Sequence, residues 1–145
     1  MEQSETCPFD SKDTIGPDRI IRVGLTVISF LSDPKITEAH VLVVPRRHVE
    51  PPYSFANNET LEREHEISRL RRIMLRTGFD GVDVFQKSRP LVAQGHNGTK
   101  VDHYHWHVLP SRRGDELYES RLDWSQKQPL TEEDLEKWIP ILRDE

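Results

Sequence analysis

The chain has 145 residues, 34% of them hydrophobic and 31% charged, with a net charge of −5 at pH 7. That length suits one domain with one core, the lean core hints at surface shared in a homodimer, and the acidic balance excludes the broad basic face that grips long nucleic acids. Cys7 is the only cysteine, no run approaches the roughly 18 apolar residues of a membrane-spanning helix, and MEQSETCPFD has no apolar signal core, so a cytoplasmic protein without disulfides or membrane contact is expected.

With no internal repeat and no linker-like tract, residues 1–145 read as a single domain. Residues 1–17, with Pro8, Gly16 and Pro17, form an irregular arm, and the β-branched run from Ile20 to Phe30, broken at Gly24, predicts two strands or one bent one. Ser32-Asp33-Pro34 is turn chemistry. Ala39 to Val44 is a nearly continuous apolar run that belongs at the centre of a sheet, with Pro45 as its stop. Asn57 or Asn58 is placed to cap a helix starting at Glu59, with Ile67, Leu70, Ile73 and Met74 facing inward and Gly78 just past its end. Its polar face would carry Glu62, Glu66, Arg69, Arg72 and Arg76, and His65 reads as solvent-facing. Val82 to Gln86 and Leu91 to Gln94 are further strand candidates, followed by a glycine-bounded loop from Gly95 to Lys100 and a strand from Val101 to Pro110. Thr131-Glu132-Glu133-Asp134 signals a short C-terminal helix that Pro140 should kink or end. The sum is α+β: an antiparallel sheet with one main helix and a short C-terminal one.

The chemistry concentrates in Asp102-His103-Tyr104-His105-Trp106-His107-Val108-Leu109-Pro110. On a strand, a period of two puts the three imidazoles on one face, about 7 Å apart at Cα, with Tyr104, Trp106 and Val108 on the other. Two chemistries fit that face. Histidines at i and i+2 can share one metal ion, as in a metal-dependent hydrolase, or a neutral imidazole can attack phosphorus while its neighbours fix its tautomer and orientation. His105, flanked on both sides, suits the nucleophile best.

This segment, with Ala39-His40-Val41-Leu42-Val43-Val44-Pro45-Arg46-Arg47-His48-Val49 and Cys7-Pro8-Phe9, resembles the histidine triad (HIT) superfamily of nucleotide hydrolases and transferases. The likeness runs from about residue 7 to 114, and residues 115–145 form a tail outside it. It implies a HIT-like α+β fold, usually a homodimer with one sheet continued across the interface, acting on small nucleotides with no cofactor required. His105 matches the family nucleophile. His40 and His107 match positions that orient it or contact phosphate, and His103 matches the outer position of the triad. Gly98 matches a loop glycine whose neighbouring amides face phosphate oxygens, with Thr99 in place of a common glutamine and Lys100 close by.

Ser32 falls where the family often holds ribose hydroxyls with Asp or Asn, Asp33 stands next to it, and Gln94 is an alternative amide donor. The family's second N-terminal cysteine is Asp10 here, so a structural zinc would draw on Cys7, Asp10, His48 and His103, one soft ligand short. Arg112 and Arg113, after the triad strand, sit where a polyphosphate could lie, while His96 reads as a loop residue. The Pro110-to-Asp115 run and the long tail look more like the Fhit branch, which cleaves dinucleoside polyphosphates, than the Hint branch of phosphoramidases. The expected activity is release of a nucleoside monophosphate through a nucleotidyl-histidine intermediate. The alternatives are a Hint-like phosphoramidase and a non-catalytic nucleotide sensor.

Overall fold

The computed structural model of the chain describes residues 15–48, 55–86, 104–114 and 127–144. After a 3-10 turn at Pro17–Arg19 come β1 (Ile20–Val23), β2 (Val27–Leu31), β3 (Val41–Pro45), the long helix α1 (Asn57–Thr77), β4 (Gly81–Phe85), β5 (Trp106–Ser111) and the helix α2 (Glu132–Leu142). The strands form one antiparallel sheet in the order β1-β2-β3-β5-β4. The expected α+β class and the central place of the Val41 strand are both observed. No helix among the described residues is long and apolar enough to cross a membrane.

Alternation along the strands divides the core. Val41, Val43 and Val108 face the helices and pack with Ile67, Leu70, Ile73 and Met74 of α1 and Trp138, Ile139 and Leu142 of α2. The other face carries a smaller cluster, Ile15, Ile20, Ile28, Phe30, Leu42 and Val44. Each large apolar side chain so buried contributes roughly 1.5–3 kcal/mol. The Ile20-to-Phe30 run splits into two strands because the chain turns tightly at Gly24. The Glu62 carboxylate accepts hydrogen bonds there from the amides of Leu25, Thr26 and Val27 and from the Thr26 hydroxyl. A Cβ on Gly24 would collide with the Glu62 carboxylate, so glycine here leaves room for that carboxylate to sit against the turn.

Several expectations are corrected. The cap of α1 is Ala56 rather than Asn57 or Asn58, because Glu59 Oε1 accepts from the Ala56 amide at 2.7 Å and both asparagines lie within the first turn. Glu66 and Arg69 do not lie on a solvated face: they are 5% and 4% exposed. Arg69 forks onto Glu66 at 2.9 and 2.7 Å and also donates to the carbonyls of Leu142 and Asp144, while the Ser29 hydroxyl donates to Glu66. The pair joins sheet, α1 and the end of α2, satisfying charges that burial would otherwise penalise. Pro140 does not end α2. It removes only one late backbone hydrogen bond, and burial of Trp138, Ile139 and Leu142 carries the helix on to Leu142. Strand β5 is assigned from Trp106 rather than Val101. Residues 101–103, the Leu91-to-Gln94 strand and the Gly95-to-Lys100 loop lie outside the described residues, as do residues 1–14 and 115–126.

Replacing Arg69 by Met is expected to cost about 3–5 kcal/mol, since it removes the two close hydrogen bonds that the buried Glu66 carboxylate accepts from Arg69 and leaves it, among the described residues, only the more distant Arg22, 3.9 Å away and exposed, as a cationic partner. Urea unfolding of that variant and of the double variant Glu66→Leu/Arg69→Met checks this. The double variant should recover a large part of the loss.

Candidate active site

His107 enters the sheet at β5, opposite Leu42 of β3 and Phe85 of β4. Directly paired residues of an antiparallel sheet share a face, so its imidazole stands on the side away from α1 and α2. Phe85 stacks on it with ring centroids 5.0 Å apart and planes 22° apart. His105 lies just before the strand, and its ring meets that of His107 edge-on at 5.0 Å. His40 comes from the turn that leads into β3. The preceding Ala39 takes φ 56°, and Ser32 N–H donates to His40 O at 2.8 Å, closing the turn at its base.

His40 is 1% exposed. Burial pushes its pKa down to about 3, and the nearby charge that His105 carries when protonated pushes the same way, so at neutral pH the ring is neutral. Its two nitrogens then have distinct roles. Nδ1 accepts from the Ile36 backbone amide at 3.1 Å, which leaves the proton on Nε2. Nε2 lies 3.0 Å from His107 Nδ1 and therefore donates to it. His107 Nδ1 is thus an acceptor, and a neutral His107 carries its own proton on Nε2. One backbone amide sets the tautomers of two imidazoles in series, the second of them beside His105.

Of the expected site residues, the structure brings together His40, His105 and His107. His103, Gln94, Gly98, Thr99 and Lys100 lie outside the described residues, as does His96. Ser32 is buried and its hydroxyl donates to Pro34 O at 2.7 Å. Asp33 is exposed and its Oδ1 accepts from the Leu130 amide at 3.0 Å, so part of that carboxylate serves the C-terminal segment. Arg112 Nη1 pairs with Glu38 at 3.0 Å and its guanidinium lies over the Phe79 ring, while the Arg113 amide donates to Asp80. Of the zinc candidates, Cys7, Asp10 and His103 lie outside the described residues, and His48 is half-buried beyond β3. A thiolate, a carboxylate and two imidazoles suit zinc in kind. Among the described residues, no three His, Cys, Asp or Glu side chains gather into a metal-binding group.

Two participants carried no signal in the residue pattern. The Ile36 amide is a backbone group, and Phe85 reads only as the apolar end of a strand until register sets it beside His107. A buried neutral His40 predicts a linked pH dependence. Its pKa is about 6.5 unfolded and about 3 folded, so the unfolded chain takes up a proton that the native chain refuses, and stability falls as pH drops through that window. Imidazole ¹⁵N NMR should show His40 protonated on Nε2 alone and not titrating near pH 6.5. A midpoint near 6.5 would contradict its burial as a neutral ring.

The family model for the HIT domain matches residues 16–114, a span that includes His40, His105 and His107. An uncharacterized HIT-like protein of Methanocaldococcus jannaschii is 24% identical over 99 residues, covering 68% of this chain and 73% of that protein. Protein hit of Bacillus subtilis is 30% identical over 88 residues, covering 58% of this chain and 55% of that protein, so the matched part is little more than half of that relative. Among solved structures, a zinc-bound histidine triad family protein from Mycobacterium smegmatis has a TM-score of 0.71 at 21% identity, covering 97% of this chain and 93% of its own. The histidine triad nucleotide-binding protein from Candida albicans has a TM-score of 0.61 at 23% identity, covering 77% of each chain. These two likenesses establish the fold. HIT proteins are generally nucleotide hydrolases or transferases, although some members are non-catalytic. The domain match spans more than half of the sequence and takes in the whole described histidine cluster: the chain belongs to the HIT family of nucleotide-binding proteins.

Proposed function

We propose that this protein hydrolyses nucleoside phosphate anhydrides such as dinucleoside polyphosphates, with His105 as the nucleophile. The observation that carries the reading is the oriented series from the Ile36 amide through His40 to His107, 3.1 and 3.0 Å long, ending on a ring packed 5.0 Å from His105. A nucleophilic imidazole needs neighbours that hold one tautomer and one orientation, and this series supplies them.

In the first step a nitrogen of His105 bonds to the α-phosphorus as the P–O bond to the leaving phosphate breaks, and the leaving group departs as an anion with that electron pair. In the second, water bonds to phosphorus, the P–N bond breaks with its electrons returning to His105, a proton passes to solvent, and nucleoside monophosphate is released. His107, with its proton on Nε2, donates toward a phosphate oxygen. His40 and His103 keep the imidazoles in place, and Gly98, Thr99 and Lys100 hold the nonbridging oxygens. Asp33 and Ser32 face the sugar, and Gln94 supplies an amide donor. No metal takes part in either step. A homodimer with the sheet continued across the interface, working in the cytoplasm, belongs to the same reading. The Fhit-like substrate class is favoured by the Pro110-to-Asp115 run and by the length of the sequence that follows it. A Hint-like phosphoramidase would use the same two steps with an amine leaving.

One observation favours a second reading, a nucleotide sensor without turnover: Ser32 and Asp33 both have intramolecular partners at the place where sugar recognition is expected. Intact-protein mass spectrometry on wild type and His105→Asn, with dinucleoside polyphosphates and nucleoside phosphoramidates, separates the readings. A one-nucleotide adduct on wild type only, with kcat lowered about 10³-fold or more in the variant and monophosphate binding retained, is expected for the hydrolase. Tight binding with neither adduct nor product on any compound would establish the sensor.

A further inference from the structure

The C-terminal segment 127–144 lies beyond the matched HIT domain, which ends at residue 114, yet its contacts converge on one short turn. Lys35 and Gln128 exchange both backbone hydrogen bonds, the Lys35 amide to Gln128 O at 2.7 Å and the Gln128 amide to Lys35 O at 2.8 Å. The Leu130 amide donates to Asp33 Oδ1, and Lys35 Nζ reaches both oxygens of Asp134 at 2.8 and 2.7 Å. That ion pair is largely covered, its side chains 19% and 11% exposed. Lys137 adds a longer contact to Glu38 at 3.8 Å.

The carbonyl of Lys35 and the N–H of Ile36 belong to one peptide group, which is planar and points its two polar ends in opposite directions. One end accepts from Gln128; the other donates to His40 Nδ1. Fixing the carbonyl end fixes the direction of the amide, and the accepted hydrogen bond polarises the peptide so that its N–H is a stronger donor. The chain of contacts thus runs from the C-terminal segment through a single peptide plane to His40 and on to His107.

We propose that the C-terminal segment is a positioning element of the histidine site: Lys35, clamped by Asp134 and paired with Gln128, aims the Ile36 amide that sets the tautomers of His40 and His107. The proposal rests on the hydrolase reading for its effect on rate and on geometry alone for its effect on the imidazoles. Lys35 is a positioning residue with no contact to substrate required. The segment beyond the matched HIT domain therefore completes the site from behind. A change there acts on the chemical step before it acts on nucleotide affinity.

Two pairs of variants test this in the full chain. Lys35→Met removes the clamp and Lys35→Arg keeps the charge; Gln128→Pro removes the amide that holds Lys35 O, and Gln128→Ala keeps it while trimming an exposed side chain. The readouts are the imidazole ¹⁵N spectra of His40 and His107 and the single-turnover rate of nucleotide transfer to His105 from a dinucleoside polyphosphate. In Lys35→Met and Gln128→Pro, the His40 signals should move toward a mixture of tautomers, and the transfer rate should fall about 10- to 100-fold while nucleoside monophosphate affinity stays within about threefold. The Arg and Ala variants should behave as wild type. Wild-type spectra in both Lys35→Met and Gln128→Pro would overturn the proposal, as would a loss of rate in Gln128→Ala equal to that in Gln128→Pro. If the proline variant does not fold, the Lys35 pair decides alone. If wild type itself forms no adduct, the hydrolase reading falls, and the spectra still decide whether the segment positions the histidines.

Discussion

A neutral imidazole sealed inside a protein must find a donor for one nitrogen and an acceptor for the other, and His40 meets that demand with groups that give the site its direction. The donor is the Ile36 amide and the acceptor is His107. Because a backbone N–H can only donate, the proton on His40 has one place to sit, and the choice propagates to the next ring. Burial does two things at once here. It holds His40 uncharged, and it makes each unmade hydrogen bond expensive enough that the alternative tautomer is excluded.

The sheet supplies the frame for this series. Its helix side is filled by apolar side chains from β3, β5, α1 and α2, which leaves the opposite side of the same strands to present His107 among Leu42 and Phe85. The strands are thereby packed against the helices on one face and carry His107 on the other, so its position is held by the core behind it. The buried Glu66–Arg69 pair holds the helix layer together, linking Ser29 in the sheet to the last carbonyls of α2. That same α2 carries Asp134, the partner of Lys35, so the packing that closes the back of the domain also reaches the turn before His40.

Much of this was legible in the residues. The apolar run before Pro45, the Thr131 start of the last helix and the break at Gly24 all follow from local periodicity or local backbone chemistry, and each appears in the fold, whereas of the His-x-His-x-His alternation only His107 lies on β5, with His105 just before it. The errors share a cause. Glu66 and Arg69 read as solvated charges because helical periodicity cannot report that a charged pair will be buried by a neighbouring element, and of the two outcomes expected at Pro140, a kink or an end, the end does not occur there because propensity does not weigh the burial of Leu142. The N-cap was misplaced since Glu59 satisfies the Ala56 amide from within the helix.

The sequence by itself determined the family and the strand that carries His107: the histidine signature marks the one, and an apolar run beyond it, which needs a core, marks the other. Only the tertiary structure decided which residues complete the face on which His107 stands. His40 meets His107 across 67 positions of chain, and Lys35 meets Asp134 across 99, through antiparallel register and helix docking. Such contacts depend on how layers stack, and the peptide plane between Lys35 and Ile36 has no side chain through which a sequence could announce it.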